Sequence, residues 1–118
     1  MTNEEYQKKA TTFAEYGENP MYAYLGLAEE AGEVAGKVAK FIRHNHGLAP
    51  SAHFNYSLKD QKEKFKEDLT KELGDVLWFV AEIATLNNLS LSDLMQKNIE
   101  KLEGRKERGT IDGVGDNR

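Results

Sequence analysis

Two pairs of acidic residues, each three apart and each set beside an apolar face in a helical pattern, constrain this chain more than any other feature. Glu30 and Glu33 lie in Leu27-Ala-Glu-Glu-Ala-Gly-Glu33, and Glu72 and Asp75 lie in Lys71-Glu-Leu-Gly-Asp75. Residues three apart on a helix are surface neighbours, with Cβ atoms about 5–6 Å apart. Each pair therefore forms a two-pronged claw.

At about 100° per residue, the first of these helices has an apolar arc centred on Tyr24, Ala28, Ala31, Ala35, Val38 and Ile42, edged by Leu27, Val34 and Phe41. Glu30 abuts that edge and Glu33 lies farther round. The second has its arc through Phe65, Leu69, Leu73, Val76, Val80 and Ile83, flanked by Phe79 and Leu86, with Glu72 inside it and Asp75 just outside. Burying an unpaired polar group costs about 2 to 7 kcal/mol, and a charge costs more. Four acids meeting between two helices repel one another unless protons or a cation intervene. An all-oxygen donor set suits a hard ion, Mg²⁺ or Mn²⁺, rather than zinc. Taken alone, either motif is a common product of Glu-rich surface helices, where such spacings give ordinary local support. Together, each beside an apolar arc, they point to a shared ion.

Glu29-Glu30-x-x-Glu33 followed by Glu72-x-x-Asp75 resembles the signature of the MazG-type, all-α nucleoside triphosphate pyrophosphohydrolases, relatives of the dimeric dUTPases and dCTP pyrophosphatases. The likeness continues in Asn98-Ile-Glu-Lys101-Leu-Glu-Gly-Arg105 and in the closing Gly113-Val-Gly-Asp-Asn-Arg118, so it spans most of the chain from about Asn19. The separation of Glu33 from Glu72 is longer than usual in that family and marks an inserted loop. The resemblance implies an all-α, four-helix, bundle-like fold that forms a homodimer or homotetramer. It also implies Mg²⁺-dependent hydrolysis of a nucleoside triphosphate, ribose or deoxyribose, to the monophosphate and pyrophosphate. Glu30, Glu33, Glu72 and Asp75 are the expected metal ligands. Glu30, at the buried edge, is expected to orient or deprotonate the attacking water, because a partly desolvated carboxylate is the better base. Asn98, Lys101 and Arg105 are expected to bind phosphate or sugar.

At 118 residues and 13.3 kDa the chain is expected to be a single domain over 1–118. It has no cysteine, which excludes a disulfide framework and thiolate metal sites. No apolar run is long enough to span a bilayer and no basic-then-apolar leader opens the sequence, so a cytoplasmic protein with no membrane partner is expected. A net charge of -4 argues against nucleic-acid binding, which needs clustered Lys and Arg.

In chain order, Thr2-Asn-Glu-Glu5 reads as a capping box opening a short helix that ends near Tyr16-Gly17. Asn19-Pro20 opens the second helix, which runs to about Arg43. Gly26, Gly32 and Gly36 inside it each cost up to about 1 kcal/mol relative to Ala, which suggests close approach of another backbone or a ligand. Lys37 and Lys40 can screen the acids or meet a phosphate. Residues 44–57 read as a loop, in which Phe54 or Tyr56 could stack on a base and His44, His46 and His53 read as solvated. The third helix spans about Ser57 to Leu86 or Asn87, with Trp78 facing outward, toward the surface of a second copy or, as the second reading, a stacked base. Ser90 opens the fourth, where Asn98 reads either as a satisfied core amide or, with Lys101 and Arg105, as part of a polar rail. Residues 109–118 form a glycine-rich tail whose Asp116 or Arg118 could close over a substrate. Two other functions fit the same residues: hydrolysis of a different nucleotide phosphoanhydride such as an alarmone, or a non-catalytic helical oligomer holding a structural ion.

Overall fold

The computed structural model describes residues 1–47 and 59–118. Most of the loop expected over 44–57 lies outside these residues, as do His53, Phe54, Tyr56 and the cap at Ser57. The described residues are all-helical: α1 (Asn3–Ala10), a 3₁₀ turn (Thr11–Phe13), α2 (Met21–His44), α3 (Lys59–Leu86) and α4 (Leu91–Glu107).

The caps at Thr2 and Ser90 are those the sequence writes, while α2 begins at Met21 with Pro20 rather than Asn19 in the cap position. The Thr2 hydroxyl accepts from the Glu5 amide at 3.1 Å while the Glu5 carboxylate accepts from the Thr2 amide at 2.7 Å. Asn19 Oδ1 accepts from the Met21 amide at 3.1 Å, and Ser90 Oγ from Asp93 at 3.3 Å. The first helix is shorter than expected. It passes into the 3₁₀ turn at Thr11-Thr12, two β-branched residues that resist regular helix, and Ala14 is already extended. Gly17 takes its left-handed φ of +67° in the linker to α2 rather than at a helix end.

α2 and α3 form an antiparallel hairpin, the dominant packing of the molecule. Gly26 faces Phe79, Lys37 faces Glu72 and Phe41 faces Phe65, so partners run in opposite directions along the two helices. Gly26 is closely approached, but by a side chain rather than the expected backbone or ligand: a Cβ there would sit 2.2 Å from the Phe79 ring, whereas at Gly32 and Gly36 nothing lies within 4 Å. The inward face of α2 is set by Ala23, Gly26, Glu30, Lys37 and Phe41, all buried or half-buried. Of the expected arc, Tyr24, Ala28, Ala31 and Ala35 are exposed in the protomer, while Val38 and Ile42 are half-buried. Alanine gains little from burial, and the cross-helix ion pair and aromatic contacts decide the rotation.

α1 packs on α3, and α4 packs mainly on α1. Ala10, Ala81 and Leu91 make a small core backed by Tyr6, Trp78 and Val80. Gln7 staples this corner, donating to Thr85 Oγ1 and the Leu89 carbonyl and accepting from the Leu91 amide. Trp78, expected to face a partner, is covered by the chain's own first helix: its indole N–H donates to the Ala10 carbonyl at 3.0 Å. The radius of gyration is 17.8 Å, against about 13.5 Å for a compact chain of this length. The long α2–α3 hairpin and a fourth helix that does not lie along it account for the excess. Leu25, Leu73, Leu77, Met95, Ile99 and Leu102 are accordingly exposed.

Candidate metal centre

Helix register places Glu30 on the inward face of α2, one turn from Gly26, against which the Phe79 ring packs. The opposite stretch of α3 carries Glu72 and Asp75. One carboxylate oxygen from each of Glu30, Glu72 and Asp75 falls within 4.8 Å of the others. Glu30 and Glu72 are half-buried and Asp75 is exposed, so the triad sits in an open groove between the helices.

The electrostatics follow from this crowding. Burial, then the charges of Asp75, Glu72, Glu29 and Glu33, push the Glu30 carboxyl above the usual carboxylate range. Lys37 Nζ lies 2.9 Å from Glu72 Oε1. That hydrogen bond raises the Lys37 pKa, opposed by burial and helped by the charges of Glu72, Asp68 and Glu33. Of the two roles open to Lys37, the structure shows screening of an acid. On the α1 side, burial and then the Asp75 charge raise the Tyr6 phenol, so the first helix borders the triad.

Glu33, the fourth expected ligand, is exposed and lies outside the triad, although its charge reaches both Glu30 and Lys37. The polar rail on α4 is split. Asn98 and Lys101 are exposed, while Arg105 is buried and donates to the Asp116 carbonyl at 3.1 Å and to its carboxylate at 3.3 Å. Arg105 thus ties down the tail. Arg118 donates to the Thr110 carbonyl at 3.1 Å, folding the last residues back on themselves.

Two clefts flank the triad along the hairpin. Toward the C-terminus of α2, a cavity of about 500 Å³ is lined by Lys37, Lys40, His44 and Lys64 together with Phe41 and Phe65. Toward its N-terminus, one of about 270 Å³ is lined by Phe13, Glu15, Tyr16, Tyr22 and Trp78. Behind the second cavity stands a residue that pattern reading missed. Glu82 is 1% exposed, accepts from the Tyr16 hydroxyl at 3.0 Å through Oε2, and leaves Oε1 without a partner. Its only sequence signal is an acid inside the apolar run Val80-Ala-Glu-Ile-Ala84.

Three hard carboxylate donors facing one point suit a divalent cation of the Mg²⁺ or Mn²⁺ class. The raised Glu30 pKa records the repulsion that such an ion relieves. Residues 19–110 match the family model described as the MazG nucleotide pyrophosphohydrolase domain. The chain is 41% identical over 97 residues to the Gene 37 protein of Mycobacterium phage L5, covering 82% of this chain and 75% of that protein. It is 33% identical over 106 residues to the uncharacterized protein YvdC of Bacillus subtilis (strain 168), covering 86% of each. No solved structure matches. Among the described residues, no helix is long and apolar enough to cross a membrane.

Proposed function

This chain belongs to the MazG nucleotide pyrophosphohydrolase family, hydrolases of phosphoric anhydrides, and from that premise we propose that it cleaves a nucleoside triphosphate to the monophosphate and pyrophosphate with Mg²⁺ or Mn²⁺. The observation that carries the reading is the meeting of Glu30, Glu72 and Asp75 within 4.8 Å across two antiparallel helices. These three hold the ion, and Glu33, one helical turn from Glu30, completes the set. A divalent ion held there would supply neutralisation of phosphate charge and would make a water more acidic. Glu30, on the inward face of α2, is the proposed residue to orient or take the proton from the attacking water. The anhydride bond between the α and β phosphates breaks, and its bridging oxygen leaves with one of the products.

Lys37 is placed to exchange Glu72 for a phosphate oxygen once an ion supplies the counter-charge. Asn98, Lys101 and Arg105 are the proposed contacts to phosphate or sugar, with Arg105 releasing the exposed Asp116 carboxylate to do so. The chain self-associates as a homodimer or homotetramer. The apolar residues left exposed on α2, α3 and α4 and the expanded radius of gyration support this.

The test is pyrophosphate release from a panel of ribo- and deoxyribonucleoside triphosphates, with and without Mg²⁺, for the native chain and Glu72→Gln. Metal-dependent release that Glu72→Gln abolishes while helical circular dichroism persists supports the proposal. Release that needs no metal, or that survives the substitution, contradicts it. Turnover confined to another phosphoanhydride moves the substrate assignment alone.

A further inference from the structure

The cavity at the α2 N-terminus is walled by aromatic rings. Tyr16 and Tyr22 stack with centroids 5.1 Å apart, Trp78 meets Tyr16 edge-on at 6.5 Å, and Phe13 is 63% exposed at the rim. A volume of about 270 Å³ suits a flat ring system better than a whole nucleotide. Aromatic faces accept any base by stacking.

The cavity lies beside the acids. Trp78 is three residues from Asp75 on α3, and Tyr22 is eight from Glu30 on α2. At about 1.5 Å per residue, these steps correspond to roughly 4.5 and 12 Å along the helices. A nucleotide with its phosphates on the triad can therefore set its base among these rings.

The polar groups of the cavity are biased toward accepting. The Trp78 N–H is committed to the Ala10 carbonyl, and the Tyr16 proton is committed to Glu82. The Tyr16 oxygen is left with its lone pairs, Glu15 adds a carboxylate at the rim, and the Tyr22 hydroxyl can turn either way. Glu82 enforces this polarity at a cost. A carboxylate 1% exposed with one oxygen unpartnered is unfavourable where an apolar residue would pack well. Anchoring a half-buried tyrosine needs only a neutral acceptor. The 3.0 Å bond from the Tyr16 hydroxyl to Glu82 Oε2 sets which way the phenol proton points.

The geometry points to this cavity as the nucleobase subsite, one that selects bases with an amino group at the pyrimidine C4 or purine C6 position, namely cytosine and adenine, over uracil and thymine. An exocyclic amino group donates to the Tyr16 oxygen, whereas the uracil and thymine carbonyl at the matching position turns an acceptor toward an acceptor. The assignment rests on the chain acting on nucleotides, as proposed above.

Trp78 is the sole tryptophan, so intrinsic fluorescence reports on the cavity without turnover. Metal-free protein is titrated with dCMP and with dUMP, which differ at C4, amino against carbonyl, and at N3, which accepts in cytosine and carries a hydrogen in uracil. Both quench Trp78, and dCMP binds roughly tenfold tighter, the effect of one hydrogen bond left unmade. Tyr16→Phe brings the two affinities within about twofold of each other. Should that variant not fold, Glu82→Gln serves: its amide can donate to the Tyr16 oxygen and free the phenol proton, and the ratio moves toward dUMP. Equal affinities in the native chain, an unresponsive Trp78, or a dCMP preference that survives in the folded variants overturns the assignment. Hydrolysis that does not discriminate by base sinks this inference alone. Absence of pyrophosphate release from every nucleotide sinks the proposed reaction and leaves the titration readable.

Discussion

Lys37 on α2 and Glu72 on α3 meet at 2.9 Å across the hairpin, placing a cation of the protein's own on one of the acids that converge on the candidate metal centre. Both side chains are largely covered, at 25% and 16% exposure. The pair therefore contributes to the hairpin and competes with any ion for the same oxygen.

Replacing Lys37 with Met keeps the stem and removes the charge. The metal-free protein should lose stability, because Glu72 then faces Glu30 and Asp75 unscreened. The gain in melting temperature on adding Mg²⁺ should grow, since the ion no longer displaces a competitor. Thermal unfolding with and without Mg²⁺ measures both. An unchanged Mg²⁺ response would separate Lys37 from the ion site.

Glu30 gives a pH signature. Its pKa is raised in the folded chain, so the folded state holds the proton more tightly than the unfolded state. The Glu30 contribution to stability therefore falls as pH rises from the usual carboxylate range to the raised value, and above that the penalty is complete. In metal-free protein, Glu30→Gln should be the more stable form at neutral pH by a few degrees, with the difference closing on acidification. Melting curves across that interval check the sign.

Gly26→Ala and Gly36→Ala should move stability in opposite directions. At Gly26 the new methyl meets the Phe79 ring at 2.2 Å, and overpacking of this kind costs about 1–3 kcal/mol, more than the helix-propensity gain. At Gly36 nothing lies within 4 Å, so the gain of up to about 1 kcal/mol stands. Denaturant unfolding of the two variants decides it.

Self-association should be visible by sedimentation, with the chain running at no less than twice its 13.3 kDa mass. Leu73→Glu with Leu77→Glu places charge on two residues that are 49% and 44% exposed in the protomer. The double variant should shift the population to monomer with its helicity retained. A monomeric native chain would contradict the proposed assembly.

The helix caps at Thr2 and Ser90 were legible in the sequence because they depend only on local side-chain chemistry, and periodicity pointed to the approach of Glu30 to Glu72 and Asp75 but not to the place of Glu33 outside them. The rotation of α2 was not legible. Its alanines read as a core arc, yet the inward face is chosen by the Lys37–Glu72 pair, the Gly26–Phe79 contact and Phe41 on Phe65, all of which lie on the partner helix. Trp78 read as outward because the position of α1 is not encoded in the α3 pattern. Arg105 shared a helical side with Asn98 and Lys101, but its Asp116 partner follows a turn that periodicity does not reach. Glu82 looked like any acid in a helix until Tyr16 closed over it.

The most direct test of the central claim is Mn²⁺ binding, read from loss of the free-ion electron paramagnetic resonance signal. The native chain should bind Mn²⁺. Glu30→Gln, Glu72→Gln and Asp75→Asn should each weaken it by about tenfold or more, while Glu29→Gln, outside the triad, should change it little. Binding indifferent to all three substitutions would contradict a shared cation between α2 and α3.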